Sequence, residues 1–161
     1  MKHILYAIGF IWLLPVNILA WSWLLYMKHK GTFEDIWWDW NTWSWNWDVS
    51  NDSEFYEKSM EGWWGFVIGN NIVYVDYFPK LALDKTYIRH EQAHVLQNYI
   101  LGVLFYPTYI VFTCWIYLFQ WAKHAYIDNP FERWARRAAG QKVYLSPEEW
   151  PDGPNDRWPW W

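Results

Sequence analysis

His90, Glu91 and His94 stand in the order His-Glu-Gln-Ala-His. On an α-helix, positions i and i+4 lie one turn apart on one face, so both imidazoles can meet a single tetrahedral zinc ion. Glu91 can reach a metal-bound water from the side, where its carboxylate takes the proton as hydroxide attacks a carbonyl. Gln92 and Ala93 carry no charge, as suits a helix buried behind its metal. The pattern fixes only three positions, and two surface histidines with an ordinary glutamate would satisfy it equally. The neighbouring elements must decide.

A catalytic zinc site needs a third protein ligand. The stretch "DNPFERWARRAAG" predicts a helix, with Asn129 as cap, Pro130 at the first helical position and Gly140 at the end. Glu132 then projects from the first turn and is the candidate third ligand. The same residues also fit a capping box, in which Glu132 would turn back on its own cap. His124, just upstream, is the other candidate ligand. Gln97 lies one turn beyond His94 and can either hydrogen-bond at the cleft or face water. Tyr87, Tyr106 and Tyr126 are candidates to stabilise an oxyanion, drawn from twelve tyrosines.

The motif "HEQAH" followed by "ERWA" resembles gluzincin-type zinc metallopeptidases, whose later helix supplies glutamate from an E-x-x-A pattern. More narrowly, "IGNNIVYV…RHEQAHVLQ…LGVLFYP…NPFERWA" is similar to small HExxH proteins of bacteria and their phages, over about residues 65 to 140. The resemblance implies His90, His94 and Glu132 as ligands of one zinc ion and Glu91 as general base. It also implies peptide or protein substrates and a bacterial or phage-encoded protein at the cell membrane. Arg136 departs from the pattern: it stands where Asp often orients a ligand histidine.

Several elements must position this chemistry. Asp84 or Thr86 can cap the motif helix. Before it, "WWGFVIGNNIVYVDYF" predicts a β-hairpin turning at Gly69-Asn70-Asn71, residues that tolerate positive φ. The strand "IVYVDYF" is either an edge able to pair with an extended peptide or an internal strand. After the motif, residues 98 to 121 are nearly free of charge. As one straight helix they would rise ~36 Å, cross a bilayer and carry Glu132 away from His90. Gly102 and Pro107 allow a turn instead, with a second helix of ~21 Å that returns the chain to the metal.

At the other end, Ile4 to Met27 are uncharged and long enough to span a ~30 Å core. Pro15 and Asn17 sit near the middle, where they would bend the helix or mark a packing contact. A cleaved signal peptide is the competing reading. Between Thr32 and Glu61 eight carboxylates face one lysine, a local charge of −7, and Trp43, Trp45 and Trp47 alternate along a strand. That strand either covers the core or forms a recognition surface.

Composition agrees with a bilayer partner: 53% hydrophobic, with 18 Trp against 9 Phe. A net charge of −4 without a basic face argues against nucleic acid. One cysteine, Cys114, allows no intrachain disulfide. The expected fold is α+β, mostly helical, with a small antiparallel sheet beside the metal helix. It divides into an apolar anchor (1–30), an acidic Trp-rich segment (31–64), a zincin-like core (65–145) and a Pro/Trp tail (146–161). The expected activity is that of a membrane-associated zinc metallopeptidase. The alternative is a non-catalytic membrane or interaction protein working through its tryptophans.

Overall fold

The computed structural model describes residues 2–50, 52–55, 57, 65–74, 85–119 and 124–143. Asp84, the end of the "IVYVDYF" strand and the 146–161 tail lie outside the described residues.

The architecture is α+β. The N-terminal apolar stretch forms two helices, α1 (Lys2–Trp12) and α2 (Leu14–His29), bent by 74° about Leu13. Pro15 explains the break: it has no N–H for the carbonyl of Ile11, and its ring collides with that carbonyl. A straight spanning anchor is thereby replaced by two short rods of ~17 and ~24 Å. The strands β1 (Phe33–Asp39) and β2 (Ser44–Val49) form an antiparallel hairpin, as do β3 (Gly65–Ile68) and β4 (Asn71–Tyr74). The two hairpins join through a parallel β2–β4 pair, giving the order β1-β2-β4-β3. The sheet is therefore mixed, where the sequence led us to expect an antiparallel one.

Side-chain alternation along β4 explains the bend in the N-terminal helices. Val73 points into a cluster with Ala20 and Leu24 of α2, Phe33, Trp47 and Val49. Its neighbours Ile72 and Tyr74 point the other way, to Tyr6 and Leu13 at the α1 side and Tyr87, Val95 and Tyr99 beyond. The two apolar rods thus cover opposite faces of one sheet. Both rods pack into the folded body. The Trp-rich strand belongs to the same interior: Trp47 is buried and Trp45 packs against it half-buried. This is the core-covering reading for Trp45 and Trp47. Trp43 departs from the expected alternation, lying in the preceding turn at a φ of 55° and packing against the Tyr6–Tyr99 cluster instead.

The motif helix α3 (Lys85–Leu101) passes through a 3₁₀ turn (Gly102–Leu104) into α4 (Phe105–Phe119). Thr86 lies inside α3 rather than capping it. By length and composition the run Thr86–Phe119 suffices to cross a membrane, a test that buried core helices also pass. Its axis does not stay straight. The His94 and Phe105 rings lie 6.3 Å apart, whereas eleven residues of straight helix rise ~16 Å. Gly102 makes the turn with a φ of 60°, and the Trp12 indole sits where any β-carbon would go. The final helix, α5 (Pro130–Ala139), packs on α3 and buries Phe131, Glu132, Ala135, Arg136 and Ala139, with Phe131 against the Phe105, Tyr109 and Phe112 rings of α4. Asn129 caps it by accepting from the Phe131 amide at 2.9 Å, and Gly140 closes it at a φ of 78°.

Candidate metal centre

His90 and His94 leave the same face of α3, and Glu132 meets them from the first turn of α5. His90 Nε2 lies 3.1 Å from Glu132 Oε2 and 3.1 Å from His94 Nε2. His94 Nε2 lies 3.2 Å from Glu132 Oε1. All three side chains are buried. Donors placed about 2.0–2.1 Å from a common tetrahedral zinc ion stand roughly 3.3 Å from one another. The histidine pair matches this, and each histidine meets a different oxygen of Glu132, one atom per residue lying within 4.8 Å.

Tautomers strengthen the fit. His90 Nδ1 faces Gln141 Oε1 at 3.0 Å, and His94 Nδ1 faces Gln97 Oε1 at 2.8 Å. An amide oxygen only accepts, so each ring must place its proton on Nδ1 and leave the Nε2 lone pair bare. Two bare nitrogens and a carboxylate then converge with no donor between them, an arrangement that needs a cation or a shared proton. In the absence of a metal the shared proton is held at His94. Burial works against a charged His94, but Glu132 prevails and lifts its pKa to about 9. Burial likewise opposes charge on Glu132, and His94 and His90 outweigh it, holding this carboxyl well below the usual range.

Gln97 is fixed at both ends, donating to the Phe131 carbonyl at 2.9 Å, so it ties α3 to α5 as well as orienting His94. Arg136 does not point at a histidine. Its guanidinium donates to the Ile127 carbonyl at 2.8 Å and lies 5.7 Å from the Tyr126 ring centroid, bracing the loop before α5. Gln141 supplies the orienting contact that the resemblance led us to seek at position 136. His124 is not among the converging ligands; its Nδ1 accepts from the Ile127 amide at 3.2 Å and shapes the same loop. Glu132 does not turn back on Asn129, because its oxygens are committed to the histidines.

Glu91, His94 and Glu132 form the polar floor of a cleft of about 210 Å³. Burial raises the Glu91 pKa, with both imidazoles opposing. That shift makes its carboxylate a better proton acceptor. The cleft walls carry Phe105, Tyr106, Tyr109 and Ile110 from α4 and Gly65, Phe66 and Val67 from β3. Among the described residues β3 is a sheet edge and β4 an internal strand, so the peptide-pairing candidate moves from "IVYVDYF" to "GFVI". Tyr126 lines the cleft beside Glu132. Tyr106 also lines it but has its hydroxyl bonded by the Gly69 amide, while Tyr87 lies outside the lining. Sequence reasoning missed Tyr109, whose hydroxyl donates to Glu132 Oε1 at 2.8 Å. Only the turn at Gly102 brings a residue fifteen positions beyond His94 back to its ligand partner. No family model, curated protein or solved structure matches the chain.

Proposed function

We propose that the protein is a membrane-associated zinc peptidase. One observation carries the reading: two bare imidazole nitrogens and a carboxylate converge within 4.8 Å at the floor of a cleft that also holds Glu91. A zinc ion bound there supplies a Lewis acid and makes water acidic near neutral pH. Glu91 takes the proton of the attacking water and hands it to the leaving amine. The β3 edge gives an extended peptide unpaired backbone groups beside the cleft. Tyr109 and Tyr126 steady Glu132 from the side opposite His90.

Membrane association rests on the outer faces of α1, α2 and α4. Large apolar side chains there are exposed, among them Ile8, Ile11, Leu19, Leu25, Val111 and Phe119. Large apolar side chains left exposed in such number support contact with an apolar partner. Lys28, His29 and Lys30 gather at the end of α2, where they suit phosphate headgroups. Use of the tryptophans as a working surface finds less support, because Trp47 and Trp45 are taken up by the core.

Elemental analysis and a degenerate peptide mixture test the reading. Purified protein should hold one zinc per chain. His90→Ala should lose the metal and all cleavage. Glu91→Gln should keep the metal while cleavage falls on the order of 10²–10⁴-fold. Full activity in Glu91→Gln, or no metal in the native chain, would refute it.

A further inference from the structure

Resting on the peptidase reading, we infer that the cleft takes its substrate from the bilayer surface. The substrate class is a membrane-anchored polypeptide with a large apolar residue beside the scissile bond, close to the lipid.

The first support is the continuity of α4. Tyr109 touches the ligand Glu132, and Ile110 lines the cleft while 58% exposed. Val111 is already on the outer apolar face. Three consecutive residues therefore lead from metal ligand to cleft wall to surface, with no charged side chain between Asn98 and Phe119.

A second support is the convergence of three turns beside that wall. The Trp12 indole lies over Gly102, so the α1–α2 bend meets the α3–α4 turn. Asn17 accepts from the Asn70 amide at 3.0 Å, and Tyr106 bonds the Gly69 amide, bringing in the β3–β4 turn. Ile11, Trp12, Leu14, Val103 and Leu104 make the outside of this junction apolar and exposed. α1, α2 and α4 measure ~17, ~24 and ~22 Å, each too short to cross a ~30 Å core. The exposed apolar groups of α4 and of the Trp12–Gly102 junction lie beside the cleft wall, so a bilayer meeting them there sets the cleft close to the headgroups.

The third support is the lining itself. Apart from the floor carboxylates and His94, the cleft presents aromatic and aliphatic groups, and the Tyr106 and Tyr109 hydroxyls are already engaged. At about 210 Å³ it is smaller than the clefts of ~300–1,000 Å³ that hold whole small ligands. One bulky apolar side chain fills it, and no charged wall selects for a polar one.

Two palmitoylated peptides of identical cleavable sequence, both bound to phosphatidylcholine vesicles, test this with the full zinc-loaded chain. In one the degenerate segment follows the acyl group directly. In the other a flexible Gly/Ser spacer of about 20 residues lifts it ~25 Å from the surface. The short form should be cut about tenfold faster, and Ile110→Asp should reduce that preference towards one. Equal rates, or faster cutting of the spaced form, would overturn the inference while leaving the peptidase reading intact. Cleavage of neither form would remove both. If Ile110→Asp loses zinc, the native ratio alone decides.

Discussion

α3 and α4 are halves of one helical run, and they are inside out relative to each other. α3 buries His90, Glu91, His94, Gln97 and Asn98, while α4 leaves Leu118 65% and Phe119 63% exposed. In water both choices would be costly: polar groups lose hydration in the first, and apolar surface meets solvent in the second. α3 recovers much of the loss: Gln97 donates to α5, His90 faces Gln141 just beyond that helix, and Asn98 donates to the His94 carbonyl one turn back. α4 recovers it if its outer face meets lipid. A hydropathy scan sees one apolar stretch in which the polar half is the interior and the apolar half the exterior.

The strongest way to break this contrast is to abolish the turn between the halves. Gly102→Ala adds a β-carbon 1.5 Å from Trp12 Nε1 at a φ of 60°. The chain must then straighten or shift, and Tyr109 leaves Glu132. We expect zinc content near zero and the melting temperature to fall by several degrees, read by elemental analysis and calorimetry. A bound equivalent of zinc in this variant would show that the site does not depend on the turn.

A smaller change sharpens the polar half. Gln97→Ala and Gln141→Ala each remove the acceptor that holds a histidine proton on Nδ1. Each should weaken zinc binding by about 10–100-fold, measured by competition with a chelator. Unchanged affinity would mean that the rings are held by packing alone.

The mildest change addresses the apolar half. Val111→Lys with Leu118→Lys places two cations on the outer face of α4. Vesicle co-sedimentation should drop about tenfold or more, since each buried aliphatic side chain contributes about 1.5–3 kcal/mol. Zinc content should remain at one per chain. Undiminished sedimentation would assign membrane contact to α1 and α2 alone.

What could be read in advance follows from how far each signal reaches along the chain. The Gly69-Asn70 turn, the Asn129 cap and the Gly140 stop are local, and each is written in adjacent residues. The histidine pair is local in the same sense, being one helical turn. The parallel pairing of β2 with β4 joins Trp47 to Val73, and no neighbouring residue of either announces it. The role of Gln141 was hidden likewise: it lies 51 positions from the ring it steadies, just past the end of a helix. Arg136 drew attention because a familiar spacing pointed there, yet its guanidinium serves the backbone of the preceding loop.

Asn17 gives the bent N-terminal rods a further meaning. It is fully buried, and its side-chain oxygen receives the amide of the turn that ends the cleft's edge strand. Engineers often trim a greasy leader to obtain a tractable soluble fragment. Here that cut would orphan the Asn70 amide, strip Ala20 and Leu24 from one sheet face, and uncover Val73. The two rods wall the sheet on their inner side, so any shortened version must carry a replacement wall before its chemistry can be judged.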